Sequence, residues 1–437
     1  MSSLHSESIL LSGNRLKAVR EWRNVSQAKL ADVLECSTNE LQQAEDGVSN
    51  LSCKQLRVLR EFLVVEGMPF TKDDVEVFRG RLLYWRDLIR NRKISEAMKI
   101  QKTIEGIASY PFEPDLTTMY NMFEIMGLLV EGELEIAERE LEGHAKHLAE
   151  MSNENLYYYY RNAGTHRSLI GQSKDALTHY LKALAVGEKD DAILKQDGAI
   201  YYNIAACYFD LHLPYQTISF IQRTCETLDD DRTKMYRLHL DILLAVSYTR
   251  ISKIDDARYL LDKCLICVKG IGDKMLIGNV LYNFGLLEKT AMLWEQAIGY
   301  FDKALAYYQD GSELYFDSLY HKARCFIEIG EYEKVSTLLT LAGNMQFDKH
   351  RRILLVKSLQ YAMDIWQGEA ASAVEAASYI ETHTLPHLLK SHEYTKALDY
   401  CEILGKHFSK IADTENALKI NKLAFDVLKK MFYQGGM

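Results

Sequence analysis

Residues 283–304 read NFGLLEKTAMLWEQAIGYFDKA, and the spacing inside this stretch decides the fold. Ala297, Phe301 and Ala304 fall at i, i+4 and i+7, so they share one face of a helix. Gly285, twelve residues before Ala297, is a second small residue, placed where a preceding helix would pass close to its partner. The pattern returns as Ala176, Tyr180, Ala183 and as Ala257, Leu261, Cys264, while Gly164, Ala205, Ala245 and Ala323 repeat the position of Gly285. With the first residue of each triplet as a ruler, units fall at Ala97, Ala137, Ala176, Thr217, Ala257, Ala297, Val335, Ala373 and Ala417, at intervals of 40, 39, 41, 40, 40, 38, 38 and 44. Each unit reads as a hairpin of two helices. Between the helices stand turn-like segments, LIGQS at 169–173 and IGEY at 329–332, with Gly171 and Gly330 suited to ending a helix. The expected fold is all-α, a right-handed α-solenoid of about nine hairpins, since each hairpin must stack on its neighbours to bury its apolar face.

Composition points the same way. Of 437 residues only 5 are proline, which biases the chain toward helix. Hydrophobic residues make up 48% and charged residues 26%, the balance of a globular protein. The longest stretches without a charge, Met275 to Leu287 and Val335 to Phe347, have thirteen residues, short of the roughly 18 needed to cross a bilayer. No secretory leader is readable at the start, so a cytoplasmic protein without membrane contact is expected. The eight cysteines are scattered through apolar patterns and read as reduced core residues. A formal charge of −9 argues against nonspecific nucleic-acid binding by the whole molecule and confines any DNA contact to a local surface.

Residues 13 to 63 do not follow the 40-residue period. Four shorter amphipathic stretches, Gly13 to Trp22, Ser26 to Glu35, Ser37 to Ala44 and Ser52 to Leu63, are expected, with Ser26, Ser37 and Ser52 as N-caps. Gly13, Leu16 and Arg20, then Ser26, Gln27, Leu30, Ala31 and Leu34, then Ser37, Leu41, Glu45 and Gly47 resemble the Xre and lambda-repressor type of helix-turn-helix, with Cys36 as a departure in the lead into the turn. That resemblance implies that the third helix enters the major groove, with Ser37 at its start, Thr38, Asn39 and Gln43 facing base edges, and Gln27 holding a phosphate. Eight basic and seven acidic residues leave this segment at +1 and the rest of the chain at −10, which favours DNA docking at this end and predicts modest monomer affinity, improved in a homodimer. The expected organisation is a helix-turn-helix domain at 1–66, a linker at 67–79 and repeats at 80–437.

The hairpins resemble the tetratricopeptide repeat, with a period nearer 40 than 34 and without the usual closing proline. A DNA-binding head joined to such an array is similar to the RRNPP family of peptide-pheromone-sensing regulators. The resemblance implies a transcription regulator that binds operator DNA and, in the concave groove of its repeats, a short imported signal peptide that alters dimer geometry. A protein-binding modulator of a response regulator, alone or in addition, is the alternative it implies.

Groove residues can be argued from position. Asn162, Asn203, Leu243, Asn283 and His321 stand two residues before the small residue of each first helix. Asparagine amides in such a row can bond both N–H and C=O of an extended peptide. A single Asn serves equally well to bridge adjacent helices, whereas the row points to a ligand face. Arg161, Tyr202, Tyr282 and Tyr320 precede that row, and Thr165 and Arg324 follow the small residue. Arg161 or Arg324 suits a peptide carboxylate, and the tyrosines suit amphipathic walls. Cys264 and Cys267 have metal-like spacing, but no second pair follows, so they read as core. His144 with His147, and His383 with His387 and His392, lack accompanying carboxylates in metal-motif spacing and read as surface or packing residues. Gly270 and Gly272 are followed by Met275 instead of a third glycine, so the dinucleotide motif fails. No cofactor is called for, and no nucleophile or phosphate-loop signature supports substrate turnover.

Overall fold

Residues 13–63, 72–105, 114–227, 234–345, 349–367, 370–391 and 393–433 are described by a computed structural model, and every regular element among them is helical. Two compact units divide the chain, Met1–Gln196 and Asp197–Met437.

The first unit opens with α1 (Gly13–Trp22), α2 (Gln27–Val33), α3 (Thr38–Glu45) and α4 (Cys53–Leu63). Leu16, Val19, Leu30, Ala31, Leu34, Leu41, Ala44, Leu59 and Leu63 form their common core. Ser26 caps α2 and Ser37 caps α3, as expected, while Ser52 accepts from the backbone N–H of Gln55 at the head of α4. Hairpins follow: α5 (Lys72–Arg90) with α6 (Ile94–Ile104), α7 (Pro114–Glu131) with α8 (Leu134–His144), and α9 (Asn153–Leu169) with α10 (Ser173–Gly187), then a short α11 (Asp191–Gln196). Part of the expected linker, residues 67–79, is therefore helical. From Lys72 onward α5 carries Phe78, Leu82, Trp85 and Ile89 as a buried helical stripe, which holds that segment in the hairpin. Residues 64–71 lie outside the described residues.

The second unit holds α12 (Ala199–Asp210) with α13 (Pro214–Thr227), α14 (Lys234–Arg250) with α15 (Ile254–Ile271), α16 (Lys274–Thr290) with α17 (Trp294–Leu305), and α18 (Glu313–Glu328) with α19 (Tyr332–Gly343). After these come α20 (Lys349–Gln367) with α21 (Ala370–Tyr379), a π turn at Ile380–Thr384, α22 (Leu385–Lys390), and α23 (Tyr394–Lys410) with α24 (Thr414–Tyr433). Every ruler residue is the fourth residue of a second helix, and all nine are buried. The long last interval is explained by the π turn and α22 inserted before the final hairpin. Within this unit the first helices pack in succession, α12 on α14, α14 on α16, α16 on α18, α18 on α20 and α20 on α23. In addition, α24 reaches α13.

Side-chain volume explains why some positions twelve before the ruler are Gly and others Ala. A Cβ on Gly285 would stand 2.5 Å from the Phe301 ring, and one on Gly164 would stand 2.7 Å from the Tyr180 ring. Where the residue at ruler plus four is aliphatic, as at Ile221, Leu261 and Leu339, the facing positions are Ala205, Ala245 and Ala323. Gly285→Ala is expected to gain about 1 kcal/mol of helix propensity and to lose more through overpacking, ~1–3 kcal/mol. Thermal unfolding should show the loss shrinking when Phe301→Leu makes room; simple additivity of the two changes would sink this account.

The hairpin turns share a left-handed residue two positions before the second helix: Arg92, Gly132, Gly171, His212, Ser252, Met292, Gly330 and Ala412 all have positive φ. Only three are glycine. For an L-residue this conformation costs roughly 1–2 kcal/mol, and Met292, 71% exposed with φ 58, has little packing to set against it. Met292→Gly is therefore expected to raise the melting temperature slightly, and a drop would contradict the turn argument.

Candidate functional site

A cavity of about 940 Å³ lies within the second unit. Its wall is made by one face of each first helix. Tyr202 and Phe209 come from α12; His239, Ile242, Leu243, Val246, Thr249 and Arg250 from α14; Leu276, Asn279, Tyr282, Asn283, Leu286, Lys289 and Thr290 from α16. The spacing on α14 and α16 is that of a single helical stripe. Glu313, Leu314, Asp317 and His321 continue it on α18, Arg351 on α20, and Glu393 with residues of α23 and α24 line the remaining side.

Of the ten groove residues expected from sequence, the cavity brings together Tyr202, Tyr282, Asn283 and His321. Asn203 is half-buried on α12 but does not line it. Tyr320 is buried in the core, its hydroxyl donating to that of Tyr400 at 3.1 Å. Arg324 is likewise buried, 2.6 Å from the Glu328 carboxylate one turn on, and that ion pair turns it away from a ligand role. The remaining three lie in the first unit. Asn162, fully buried, donates its amide to the carbonyl of Met122 at 2.6 Å, so it bridges α9 to α7. Arg161 is buried against the Met126 sulfur, 4.0 Å away. Thr165 donates to the Arg161 carbonyl and accepts from Tyr180, which fixes α9 on α10.

Arg250, Asn279, Lys289, Asp317 and Arg351 were missed. Arg250, Asn279 and Asp317 had a signal, at i+7 from Leu243, i−4 from Asn283 and i−4 from His321, and Lys289 stands seven after Tyr282, whereas Arg351 lies on a helix with no row residue and the contribution of α23 is set by tertiary closure, neither leaving a periodic trace. Lys289 Nζ stands 2.6 Å from Asp399, Lys396 Nζ is 2.6 Å from Glu393 and 3.1 Å from Asp317, and Arg351 reaches Glu313, Asp317 and Glu393. These pairs fasten α23 to α16, α18 and α20. Although burial alone would raise the Glu393 carboxyl, Lys396 and Arg351 overcome it and hold its pKa down at about 2. Burial, reinforced by Lys289, Lys396, Arg351 and Arg324, holds His321 well below the ordinary imidazole range. Burial likewise pushes the Tyr282 phenol well up, so it remains a neutral donor. Asn279 accepts from Tyr308 at 3.0 Å, which orients its amide.

The head presents a second surface. Thr38, Asn39 and Gln43 are exposed on α3. Ser37 and Glu40 are engaged with each other in a capping box, Ser37 N to Glu40 Oε2 2.7 Å and Glu40 N to Ser37 Oγ 3.2 Å. Ser37 thus positions the helix start, and the backbone and hydroxyl bonds from it lower the Glu40 carboxyl. Gln27 donates to Gln42 at 2.6 Å and to Glu45 at 3.2 Å, joining α2 to α3. In the turn between these helices Glu35 takes φ 53, a left-handed conformation on a non-glycine residue.

Cys264 and Cys267 sit on α15, the first inside the core and the second packed against it. Among the described residues no group of His, Cys, Asp or Glu is arranged to hold a metal ion. None of the helices there is long and apolar enough to cross a membrane. His392 lies outside the described residues.

Fold and site together define a helical-hairpin repeat protein with a ligand-sized cavity open to solvent and a small helical head. No family model matches the chain. It is 21% identical over 382 residues to the transcriptional activator NprA of Geobacillus stearothermophilus, covering 86% of this chain and 93% of that one. Its fold is shared with NprR in complex with its cognate peptide NprX, TM-score 0.60 at 20% identity, covering 81% of this chain and 98% of that one. A Rap protein complexed with Competence and Sporulation Factor also shares it, TM-score 0.59 at 16% identity, covering 82% and 99%. These similar proteins are RRNPP regulators, and the tetratricopeptide-like fold that the sequence resemblance implied is present.

Proposed function

We propose that the protein is a cytoplasmic, peptide-responsive transcription regulator, in which the helix-turn-helix domain at 1–66 reads operator DNA and the repeats, from α5 onward, bind a short signal peptide and dimerise. The observation that carries this reading is the cavity. Its size lies at the upper end of the roughly 300–1,000 Å³ range of ligand pockets, and its wall combines aliphatic side chains with amides, hydroxyls and tyrosines that suit a peptide backbone, and with the ion pairs around α23. The NprR complex with NprX supports the ligand class, and the exposed Thr38, Asn39 and Gln43 support the DNA surface. No cofactor is required, and the cavity acts by binding instead of turnover. Peptide binding can shift DNA affinity only by its differential affinity for two forms of the protein.

The test is enrichment of genomic DNA fragments on the purified protein, with and without a small-peptide extract. Specific fragments should be enriched, the extract should change that enrichment, and Thr38→Ala with Gln43→Ala should remove it, each lost base contact being worth ~1–3 kcal/mol. Equal enrichment by the variant would refute the assigned DNA surface. The fold shared with the Rap protein favours a second reading, a modulator of response regulators. Capture of a purified response regulator without any DNA enrichment would support it.

A further inference from the structure

Three of the four cations lining the cavity have carboxylates beside them: Lys289 has Asp399, Lys396 has Glu393 and Asp317, and Arg351 has Glu313, Asp317 and Glu393. Arg250 has none within 4.0 Å among the described residues; Asp210 acts on it only from further away. Its position is nevertheless fixed. One guanidinium nitrogen donates to the Phe209 carbonyl at 2.9 Å, and the group lies 4.2 Å over the Phe209 ring. Two contacts to one residue of α12 hold the planar fork at the end of α14. Of its five N–H donors only one is engaged by that carbonyl, so bidentate capacity remains. Burial lowers its pKa to about 10, which still leaves it charged at neutral pH. Thr249, Val246, Asn279, Asn283 and Thr290 are among the neutral residues that line the same cavity.

We propose that Arg250 is the anchor for a single carboxylate of an otherwise uncharged peptide, and thus that the ligand is a short aliphatic peptide recognised by its C-terminal carboxylate or by one Asp or Glu side chain. This deepens the peptide-binding reading and rests on it. It also transfers the role expected of Arg161 or Arg324 to a residue whose guanidinium lines the cavity. A planar cation held in a partly desolvated wall favours a carboxylate, which matches its geometry in two parallel bonds. Lys289, Lys396 and Arg351 already have their charges matched by carboxylates of this chain.

The experiment uses the full-length protein and three synthetic pools of seven-residue peptides built from Gly, Ala, Ser, Asn, Val, Ile and Leu. One pool has free C-termini, one is amidated, and one is amidated with a single Asp at a varied position. Peptides retained by the protein are identified by mass spectrometry. Retention from the free-acid or the Asp pool about tenfold above the neutral amide pool is expected, consistent with one charged hydrogen-bonded contact, and which of the two is retained identifies the source of the carboxylate. Arg250→Met should abolish that preference and Arg250→Lys keep part of it; should the Met variant not fold, the comparison of pools on the unaltered protein decides alone. Equal retention of the neutral amide pool, or an unchanged preference in a folded Arg250→Met, overturns the anchor while leaving peptide binding standing. Retention of no pool overturns the peptide reading and the anchor with it.

Discussion

In a Glu45→Ala variant, α1 to α4 are expected to unfold under conditions where the hairpins remain intact. Glu45 is fully buried, and it accepts from Arg20 Nε at 2.6 Å, from the second Arg20 nitrogen at 3.0 Å and from Gln27 at 3.2 Å. Arg20 is itself 8% exposed, and the hydrogen bond to Glu45 raises its pKa. A third guanidinium nitrogen donates to the Val25 carbonyl at 3.0 Å. This one pair therefore ties α1, the turn after it, α2 and α3 together. Removing the acid leaves a buried cation with the Val25 carbonyl and the exposed carboxylate of Glu21 at 3.6 Å, a loss of ~3–5 kcal/mol. A head of about 50 residues has a total stability of only ~3–8 kcal/mol, so the loss removes most of it. Hydrogen exchange followed by mass spectrometry should show peptides from 13–63 losing protection while those from α5 onward keep theirs. Arg20→Met combined with Glu45→Leu should restore protection, because apolar replacement of a buried pair is often neutral or stabilising. Unchanged protection in Glu45→Ala would mean that the pair does not hold the head together.

How much of this was legible beforehand differs between fold and site. Residues such as Ala297, Phe301 and Ala304 carry the hairpins because packing of neighbouring helices constrains volume at fixed spacing, and such constraint repeats along the chain. Ser26 and Ser37 carried the helix starts of the head for a similar local reason. The groove was only half legible. Asn283 and Asn162 occupy equivalent positions in their repeats, yet the first lines the cavity and the second bonds the Met122 carbonyl. Nothing local distinguishes them; the difference is that a carbonyl of the preceding first helix stands within hydrogen-bond reach of Asn162. Arg324 was attractive as an unassigned cation, but Glu328 four residues later was an i, i+4 partner that the sequence already displayed. Arg250 was overlooked because its value as a site depends on Phe209, forty-one residues earlier, and on the absence of a nearby acid. The role of α23 depends on α20, α18 and α16 converging on it, which no periodic pattern encodes.

Arg351→Met is expected to lower the stability of the second unit at neutral pH and at the same time to weaken its dependence on pH. Arg351 is mostly buried and lies between Glu313, Asp317 and Glu393. Its loss leaves Lys396 alone to serve both Asp317 and Glu393, at a cost of ~3 kcal/mol, or roughly 6–12 °C in melting temperature for a unit of this size. The sign of the pH effect follows from two depressed pKa values. Glu393 is held at about 2 against an ordinary 4.5, so its contribution is present above the unfolded pKa and is lost as pH falls from about 5 toward 2, on the order of 3 kcal/mol in all. His321 is also depressed, by burial first and then by the four surrounding cations, so the unfolded chain binds its proton more readily and stability falls as pH drops below about 6.5. Taking away Arg351 removes one of the charges depressing each group, and both acid-side slopes should become shallower. The measurement is thermal unfolding across pH 2 to 8 of the protein and the variant. A variant that melts as the parent does at pH 7, or whose acid slope steepens, would show that the ion pairs around α23 are surface decoration instead of the fastening that holds α23 against the helices lining the cavity.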